Sequence, residues 1–223
     1  MPLEFIKFNG VEYPSHEAIG GASLWIRQLA QHYCIGVGLD VGYSKEKWML
    51  PGAIGIEPSI DPTYDAMRLP NGQFEYLFSS HCLEHIKENV YNVLDYWMTK
   101  IKVGGILFLY LPHKSQEYWH PKNNRKHLHS FDGSEIGGYL SELGHKVWVS
   151  GCDFNHSFVV VCEKEELIQT GENYWNSILA SIPTDVEITK NYFKAILKTI
   201  GQMIEVEYIK SGPGYIITKK RLV

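Results

Sequence analysis

The residues with the clearest chemical potential follow two short apolar runs. The first run ends in Gly38-Leu-Asp-Val-Gly42, which joins a carboxylate to a flexible backbone position, and the second, Ala53-Ile-Gly-Ile56, ends in Glu57. In α/β sheets that bind nucleosides, a glycine turn follows one strand and an acid that accepts the ribose hydroxyls follows the next. The spacing fits a nucleoside site, and two core strands with ordinary turn residues would have the same pattern.

A second group of candidate residues is His81-Cys-Leu-Glu84-His85, which has the H-x-x-E-H pattern of some zinc proteases. That chemistry needs both histidines on one helical face, so that two imidazoles meet one metal ion. Here His81 directly follows the apolar run Phe74–Ser80, and helical spacing begins only beyond Ile86. We therefore interpret these residues as a strand-to-helix turn and predict no zinc site.

A polar loop between Pro112 and Asp132 is rich in histidine, with His113, His120, His127 and His129. Histidines bind metals, but no Asp or Glu lies at the matching strand ends to complete an oxygen-rich magnesium site, so no metal is predicted. Substrate contact or general-base catalysis is the functional interpretation, and solvated loop histidines are the alternative. Trp119 either stacks on a sugar or base face or holds the loop in place.

These residues need a framework of alternating strands and helices. Apolar runs predict strands at residues 35–41, 53–56, 74–80, 106–111, 146–150 and 158–162. Helical spacing from Val90 to Ile101, ended by Gly104-Gly105, and from Ser134 to Leu143 predicts two helices between them. This alternation predicts an α/β fold with a doubly wound, Rossmann-like, mostly parallel sheet.

Both ends of the chain depart from the alternation. At the start, Asn9-Gly10 predicts a hairpin within residues 5–13, and Ser15 precedes a helix whose apolar face comprises Ile19, Leu24, Ile26, Leu29 and Tyr33. After Glu165, helical patterns flank Pro183, the second starting at residue 184 or 185 and stopping at Gly201, and a hairpin surrounds residues 211–214. We predict segments 1–34, 35–164 and 165–223, the last a helix-helix-hairpin appendage that packs on the sheet domain or across a homodimer interface.

Composition limits the classes of partner. The net charge of −4 and the lack of a long basic stripe argue against a dedicated nucleic-acid binder. No apolar run reaches the ~18 residues of a membrane span, and the start of the sequence lacks signal-peptide character. The four cysteines are far apart without a CxxC motif, so reduced thiols and a cytoplasmic location are expected.

Taken together, five blocks resemble the class I S-adenosylmethionine-dependent methyltransferases, in particular small-molecule and glycan enzymes. The blocks are Gly38-Leu-Asp-Val-Gly42, Gly55-Ile-Glu57, Asp65-Ala-Met-Arg-Leu-Pro70, residues 74–86 with Ser80-His-Cys-Leu-Glu-His-Ile86, and Lys102-Val-Gly-Gly-Ile-Leu-Phe108. The match covers roughly residues 35–164. Their order and spacing are more specific than any single block.

The resemblance implies roles for particular residues. It places Gly42 beside the methionine part of the cofactor, Glu57 on the ribose hydroxyls, the Asp65-Ala66 pair beside adenine, and Ser80-His81 at the sulfonium. The implied cofactor contacts are Asp40, Gly42, Tyr43, Ser44, Glu57, Pro58, Asp65, Ala66, Ser80 and His81.

The sequence also departs from the family pattern. Ser44 stands where the family usually has a second loop glycine, Tyr43 where it often has cysteine, and Val103 where it has proline. The short spacing after Val41 predicts a first crossover helix of one or two turns and a third strand of little more than residues 64–66.

The resulting prediction is methyl transfer from S-adenosylmethionine to an oxygen of a small metabolite or glycan. His81, His113 and His129 are the candidate general bases, because a histidine with a pKa near ~6.5 can accept a proton at neutral pH. The alternative is a non-catalytic or weakly cofactor-binding interaction module. Methylation of a nucleic-acid base is disfavoured, because no motif that holds a flipped base follows the fourth strand.

Overall fold

The computed structural model describes residues 4–15, 21–166, 182, 187–191, 193, 194, 197 and 204–222. The chain divides into two compact units, residues 1–166 and residues 167–223. Each unit is described below by itself.

The first unit contains eight strands among its described residues. They are β1 (Phe5–Phe8), β2 (Val11–Pro14), β3 (Gly38–Val41), β4 (Ile54–Ile56), β5 (Phe74–Ser80), β6 (Ile101–Pro112), β7 (Lys146–Val149) and β8 (Ser157–Glu163). β1 and β2 form a hairpin, and the other six form one sheet in the order β4-β3-β5-β6-β8-β7. The four strands β4, β3, β5 and β6 are parallel, and β8 runs antiparallel to both of its neighbours. The mostly parallel α/β sheet predicted from the sequence is confirmed.

The sheet is buried on both faces because its central strands place apolar side chains on alternate sides. On β5, Leu77 belongs to one core cluster, whereas Tyr76 and Phe78 belong to the other. Helix α1 (Ala22–Tyr33) contributes to the second cluster, and helices α2 (Val90–Thr99) and α3 (Gly133–Glu142) contribute to the first. Helices therefore cover both faces of the sheet.

The N-terminal hairpin is confirmed, and the helix after it needs one correction. Asn9 and Gly10 have φ values of 47° and 84°, as a type I′ turn requires. Of the apolar face predicted for α1, Ile26 is buried, but Leu24, Leu29 and Tyr33 are exposed. The small residues Ala22, Ser23 and Ala30 form the buried face instead, because they allow the helix to lie close to the sheet. Ile19 lies outside the described residues.

Two connections differ in length from a usual doubly wound fold. Between β3 and β4, a single 3₁₀ turn, Glu46–Trp48, replaces an α-helix, as the short spacing predicts. The predicted third strand at residues 64–66 is wrong. Asp65 pairs with Arg68 in a tight antiparallel bridge, and the Asp65 carboxylate accepts a hydrogen bond from the Met67 amide at 2.9 Å. That local turn bends the chain before it can pair with β4.

Two element boundaries also differ from the predictions. Residues 35–37 precede β3 rather than belonging to it, and Ile35 is 71% exposed. Helix α2 ends at Thr99, before the Gly104-Gly105 pair, and β6 already begins at Ile101. Ile101 pairs with Phe74 and is fully buried, so the core continues through the segment that the sequence assigns to a helix end.

The second unit contains a three-stranded sheet among its described residues. β10 (Ile204–Ser211) and β11 (Gly214–Leu222) form an antiparallel hairpin at the predicted turn, and β9 (Glu187–Thr189) pairs with β11. Residues 187–189 are therefore a strand where the sequence predicts a helix. The helix predicted before Pro183 lies outside the described residues. None of the helices in the described part of the chain is long and apolar enough to cross a membrane.

Candidate functional site

Two adjoining cavities open where β3, β4 and β5 reach their carboxyl ends, the edge at which α/β sheets bind ligands. The first cavity has a volume of about 500 Å³, and the second has a volume of about 400 Å³. Four residues line both cavities and join them into one continuous depression: Gly42, Glu57, Cys82 and His85. All four belong to the blocks that resemble the methyltransferase family.

The second cavity is built around Glu57, at the end of β4. Glu57 Oε1 accepts hydrogen bonds from the Ser59 amide at 3.0 Å and from the Ser59 hydroxyl at 2.7 Å, which orients the carboxylate. Pro58, Asp65 and Ala66 complete this wall. The structure thus brings together Glu57, Pro58, Asp65 and Ala66 from the predicted set.

The wall that carries Asp65 and Ala66 is held by α2 rather than by sheet pairing. The indole Nε1 of the fully buried Trp97 donates to the Ala66 carbonyl at 2.7 Å. The Tyr96 hydroxyl accepts from the Leu69 amide at 2.9 Å. These two bonds fix the position of the segment that replaces the missing third strand.

The turn after β3 requires glycine at position 42 because Cys82 lies close to it. Gly42 has a φ of 89°, and a Cβ built on it would lie 2.4 Å from Cys82 Sγ. Burial raises the pKa of the Cys82 thiol to about 12, so this sulfur stays protonated and serves as packing at neutral pH. Ser44 has a φ of 45° and occupies the left-handed conformation that a second family glycine would adopt readily.

The first cavity is bounded by the 3₁₀ turn between β3 and β4. Ser44, Lys45 and Trp48 line it. Helix α1 holds this turn, because the Ser23 hydroxyl donates to the Trp48 carbonyl at 2.8 Å and the Arg27 guanidinium donates to the Lys47 carbonyl at 2.8 Å. The helix therefore positions a loop of the site as well as covering the sheet.

Two predicted cofactor contacts, Asp40 and Tyr43, line neither cavity. Asp40 is 1% exposed, and its carboxylate accepts a hydrogen bond from the Leu50 amide at 2.6 Å. Desolvation raises the Asp40 pKa to about 7. The Tyr43 ring lies over Gly55, where an added Cβ would come within 2.5 Å of it. Asp40 therefore holds the connection between β3 and β4 through Leu50, and the Tyr43 ring packs over Gly55 in β4.

His81 lies in the first cavity, directly after β5, and Ser80 lines the cavity beside it. His81 has a φ of 48°, which turns the chain sharply at the strand end. Its Nε2 lies 2.8 Å from the Ser157 hydroxyl. The ring also contacts Tyr110 and Trp119, each with a centroid distance of 5.4 Å.

The histidine loop reaches the first cavity through Trp119 and His127, which the sequence analysis named, but not through the predicted general bases His113 and His129. Trp119, Asn124, Lys126 and His127 line this cavity. His113 instead contacts the Ser115 hydroxyl, and His129 Nε2 contacts the Ile86 carbonyl at 2.8 Å. Both line a small recess on the far side of Trp119. The structure does not bring His113 and His129 to the cavity that contains His81.

The carboxyl group of Glu84 is buried next to His85, which lines both cavities. Glu84 is 0% exposed, and desolvation raises its pKa to about 8. Burial lowers the pKa of His127 to about 4 and also lowers the pKa of His85. Each of these groups therefore favours its neutral form near pH 7.

Sequence reasoning missed several lining residues. Lys45 and Trp48 gave no pattern, because their 3₁₀ turn is too short to show periodicity. Cys82 and His85 stood inside a recognised block, but only the turn at His81 shows that they face the cavities. Lys126 and His127 lie in a loop whose path no local signal predicts.

No family model matches the sequence, and no curated protein matches it either. Solved structures do match. An S-adenosylmethionine-dependent methyltransferase of Thermotoga maritima has a TM-score of 0.55 and 16% identity, over 68% of this chain and 95% of the other. A second, from Archaeoglobus fulgidus, has a TM-score of 0.51 and 15% identity, over 68% and 95%.

A third match is the methyltransferase bound to the Trm112 methyltransferase activator of Haloferax volcanii. It has a TM-score of 0.51 and 10% identity, over 68% of this chain and 97% of the other. At such identities the likeness concerns the fold alone. The chain is similar in fold to S-adenosylmethionine-dependent methyltransferases.

Proposed function

We propose that the protein is an S-adenosylmethionine-dependent methyltransferase that acts on an oxygen of a small metabolite or glycan. The observation that carries this proposal is the pair of joined cavities at the carboxyl edge of the sheet. Their shared residues and the lining of the second cavity coincide with the blocks that resemble the family. The fold similarity supports the same conclusion.

In this proposal the cofactor spans both cavities. Its adenosine lies in the second cavity, where the Glu57 carboxylate accepts hydrogen bonds from the ribose hydroxyls and Asp65-Ala66 borders the adenine. Its methionine part lies in the first cavity, beside Ser44 and Lys45. Lys45, which lines the first cavity on the turn that follows β3, is our candidate cation for the cofactor carboxylate.

The chemistry requires the acceptor oxygen, the methyl carbon and the sulfur to be in line. The oxygen forms a bond to the methyl carbon while the carbon–sulfur bond breaks, and the sulfur leaves as a neutral thioether. The protein contributes mainly by holding these atoms together, because the sulfonium supplies the reactivity. The acceptor proton passes to a base, and His81 is the candidate among the predicted histidines because it lines the first cavity.

The acceptor belongs in the part of the first cavity lined by the histidine loop. Trp119 offers an aromatic surface, and Asn124 and Lys126 offer hydrogen-bond donors. These groups suit a polar acceptor with an apolar ring or sugar face. We therefore propose that this loop selects the acceptor.

The test is calorimetric titration of the full chain with S-adenosylmethionine and S-adenosylhomocysteine. We expect micromolar binding, weakened about 10- to 150-fold in Glu57→Ala, which corresponds to ~1.5–3 kcal/mol for hydrogen bonds to a charged group. Glu142→Ala, on the exposed end of α3, is the control and should bind normally. Wild-type protein that binds neither compound would favour the interaction module over the enzyme.

A further inference from the structure

Three histidine rings converge on one oxygen of the buried Glu84. Glu84 Oε1 lies 3.7 Å from His81 Nδ1, 3.8 Å from His85 Nε2 and 3.9 Å from His127 Nε2. The nearest side-chain atoms of Glu84, His85 and His127 all lie within 4.8 Å of one another. Neither carboxylate oxygen of Glu84 makes a hydrogen bond to any part of the chain that the structure describes.

The three histidines do not satisfy the hydrogen-bonding capacity of the Glu84 carboxylate. A hydrogen bond between nitrogen and oxygen spans about 2.7–3.2 Å, so contacts of 3.7–3.9 Å are too long. A fully buried carboxyl group without hydrogen bonds is costly, and such groups are normally paired or bound to a metal. Glu84, His85 and His127 are close enough to one another to hold a metal ion in common.

Hydrogen bonds leave the ring nitrogens of His85 and His81 that face Glu84 in the unprotonated form, which is the form that binds metals. His85 Nδ1 lies 2.8 Å from the Lys126 carbonyl, which only accepts hydrogen bonds, so Nδ1 carries the proton and Nε2 does not. The Ser157 hydroxyl donates to the Asn155 carbonyl, so it accepts from His81 Nε2 and leaves His81 Nδ1 unprotonated. In known metal sites, such outer hydrogen bonds fix the ring orientation and tautomer in this way.

The backbone also fixes the cluster. Glu84 and His85 lie on the 3₁₀ turn Leu83–His85, and the Glu84 carbonyl accepts from the Leu128 amide at 2.7 Å. This bond brings the histidine loop alongside the turn. The Trp119 ring stacks on His127, with a centroid distance of 5.4 Å and an interplanar angle of 7°.

We propose that Glu84, His85 and His127 bind a divalent transition-metal ion, of which Zn²⁺ fits the donors best. Bond lengths of 2.0–2.2 Å to zinc place tetrahedral ligand atoms about 3.4 Å apart, so the distances from Glu84 Oε1 to His85 and His127 need to shorten by only a few tenths of an ångström. Imidazole and carboxylate together suit zinc, whereas magnesium prefers oxygen ligands alone.

This site is the one that the sequence analysis predicts to be absent. A zinc protease of this pattern would need His81 and His85 on one helical face. The structure assembles the ligands differently, with Glu84 and His85 on a 3₁₀ turn and a second imidazole, His127, from the distant loop. Because His81, His85 and His127 all line the first cavity, the ion would lie at its wall.

The test is metal loading of the untagged full chain, stripped with a chelator and dialysed against Zn²⁺ or Co²⁺ without any cofactor. We expect one equivalent of zinc by elemental analysis and, with Co²⁺, the intense visible absorption of a tetrahedral site. Glu84→Gln, His85→Ala and His127→Ala should each weaken zinc binding at least about 100-fold in a chelator competition, beyond the 10- to 100-fold losses of outer-shell changes. His113→Ala and His129→Ala are the controls and should bind zinc normally.

Wild-type protein that takes up less than a tenth of an equivalent and gives no Co²⁺ spectrum would overturn the proposal, even if every variant were misfolded. Zinc retained by folded His85→Ala and His127→Ala, as judged by circular dichroism, would overturn it as well. Since no cofactor is present, either result leaves the methyltransferase proposal to be decided by its own titration.

Discussion

At the scale of single residues, Asp40 is the carboxylate whose role changes most between sequence and structure. The family resemblance implies a cofactor contact, but its side chain is buried beneath the loop and accepts from Leu50. Desolvation raises its pKa to about 7, and this outweighs the Leu50 hydrogen bond and the charge of Arg27, which both lower the pKa. The folded protein therefore holds a proton here that an unfolded chain releases near pH 4.

This difference predicts a pH dependence of stability. Because the folded-state pKa is raised above the unfolded value near 4, the stability contributed by protonated Asp40 is fully present below about pH 4 and is lost as the pH rises through about 7. Relative to Asp40→Asn, the free energy of unfolding of the wild type should be larger at pH 5 than at pH 8 by about 2–3 kcal/mol. Urea denaturation at both pH values measures it, with Asp95→Asn as the exposed control. Parallel pH profiles for wild type and Asp40→Asn would contradict the assignment.

Some residues of the second cavity could be predicted from the sequence, because they follow strands whose apolar runs are visible. Glu57 and Gly42 are examples, although Gly42 is required by Cys82, a contact that no local pattern reveals. The cluster around Glu84 could not be predicted. It depends on His127, which is distant in sequence, and on a positive φ at His81 that sequence spacing does not encode.

At the scale of elements, the segment between β4 and β5 shows how one wall of the site is held without a strand. It depends on α2, through the bond from Trp97 Nε1 to the Ala66 carbonyl. Trp97→Phe keeps most of the buried ring but removes this donor and leaves the carbonyl unsatisfied. We expect a loss of about 1–3 kcal/mol in the free energy of unfolding and weaker binding of S-adenosylhomocysteine.

Urea denaturation and calorimetry of Trp97→Phe measure the two effects. Trp148→Phe, in β7, is the matched control, since Trp148 is 53% exposed. If Trp97→Phe lost stability but kept full affinity, α2 would support the core without positioning the adenosine wall.

The central elements could be predicted because buried strands and an amphipathic helix leave strong periodic signals. β5 matches its predicted range, and the buried face of α2 contains the predicted Val93, Leu94 and Trp97. The helix end at Gly104-Gly105 was predicted wrongly because a strand that bends through two glycines has the same local sequence as a helix stop. The face of α1 was predicted wrongly because close packing on the sheet favours small residues over large apolar ones.

At the scale of the whole molecule, the sequence separates an α/β unit from a C-terminal segment of different character. The structure likewise divides into residues 1–166 and 167–223. The sheet order and the antiparallel β8 could not be read from the chain, because strand pairing depends on contacts between distant residues. The role of the second unit stays a prediction, with a homodimer interface as one of its two expectations.

We propose that the joined cavities hold one molecule of the cofactor, and a crystal structure of the full chain with S-adenosylhomocysteine would test this directly. We expect ribose hydroxyls within hydrogen-bond distance of Glu57, the adenine beside Asp65-Ala66, and the homocysteine part in the first cavity beside Ser44. A well-ordered ligand bound away from Glu57, with both cavities filled only by solvent, would contradict it.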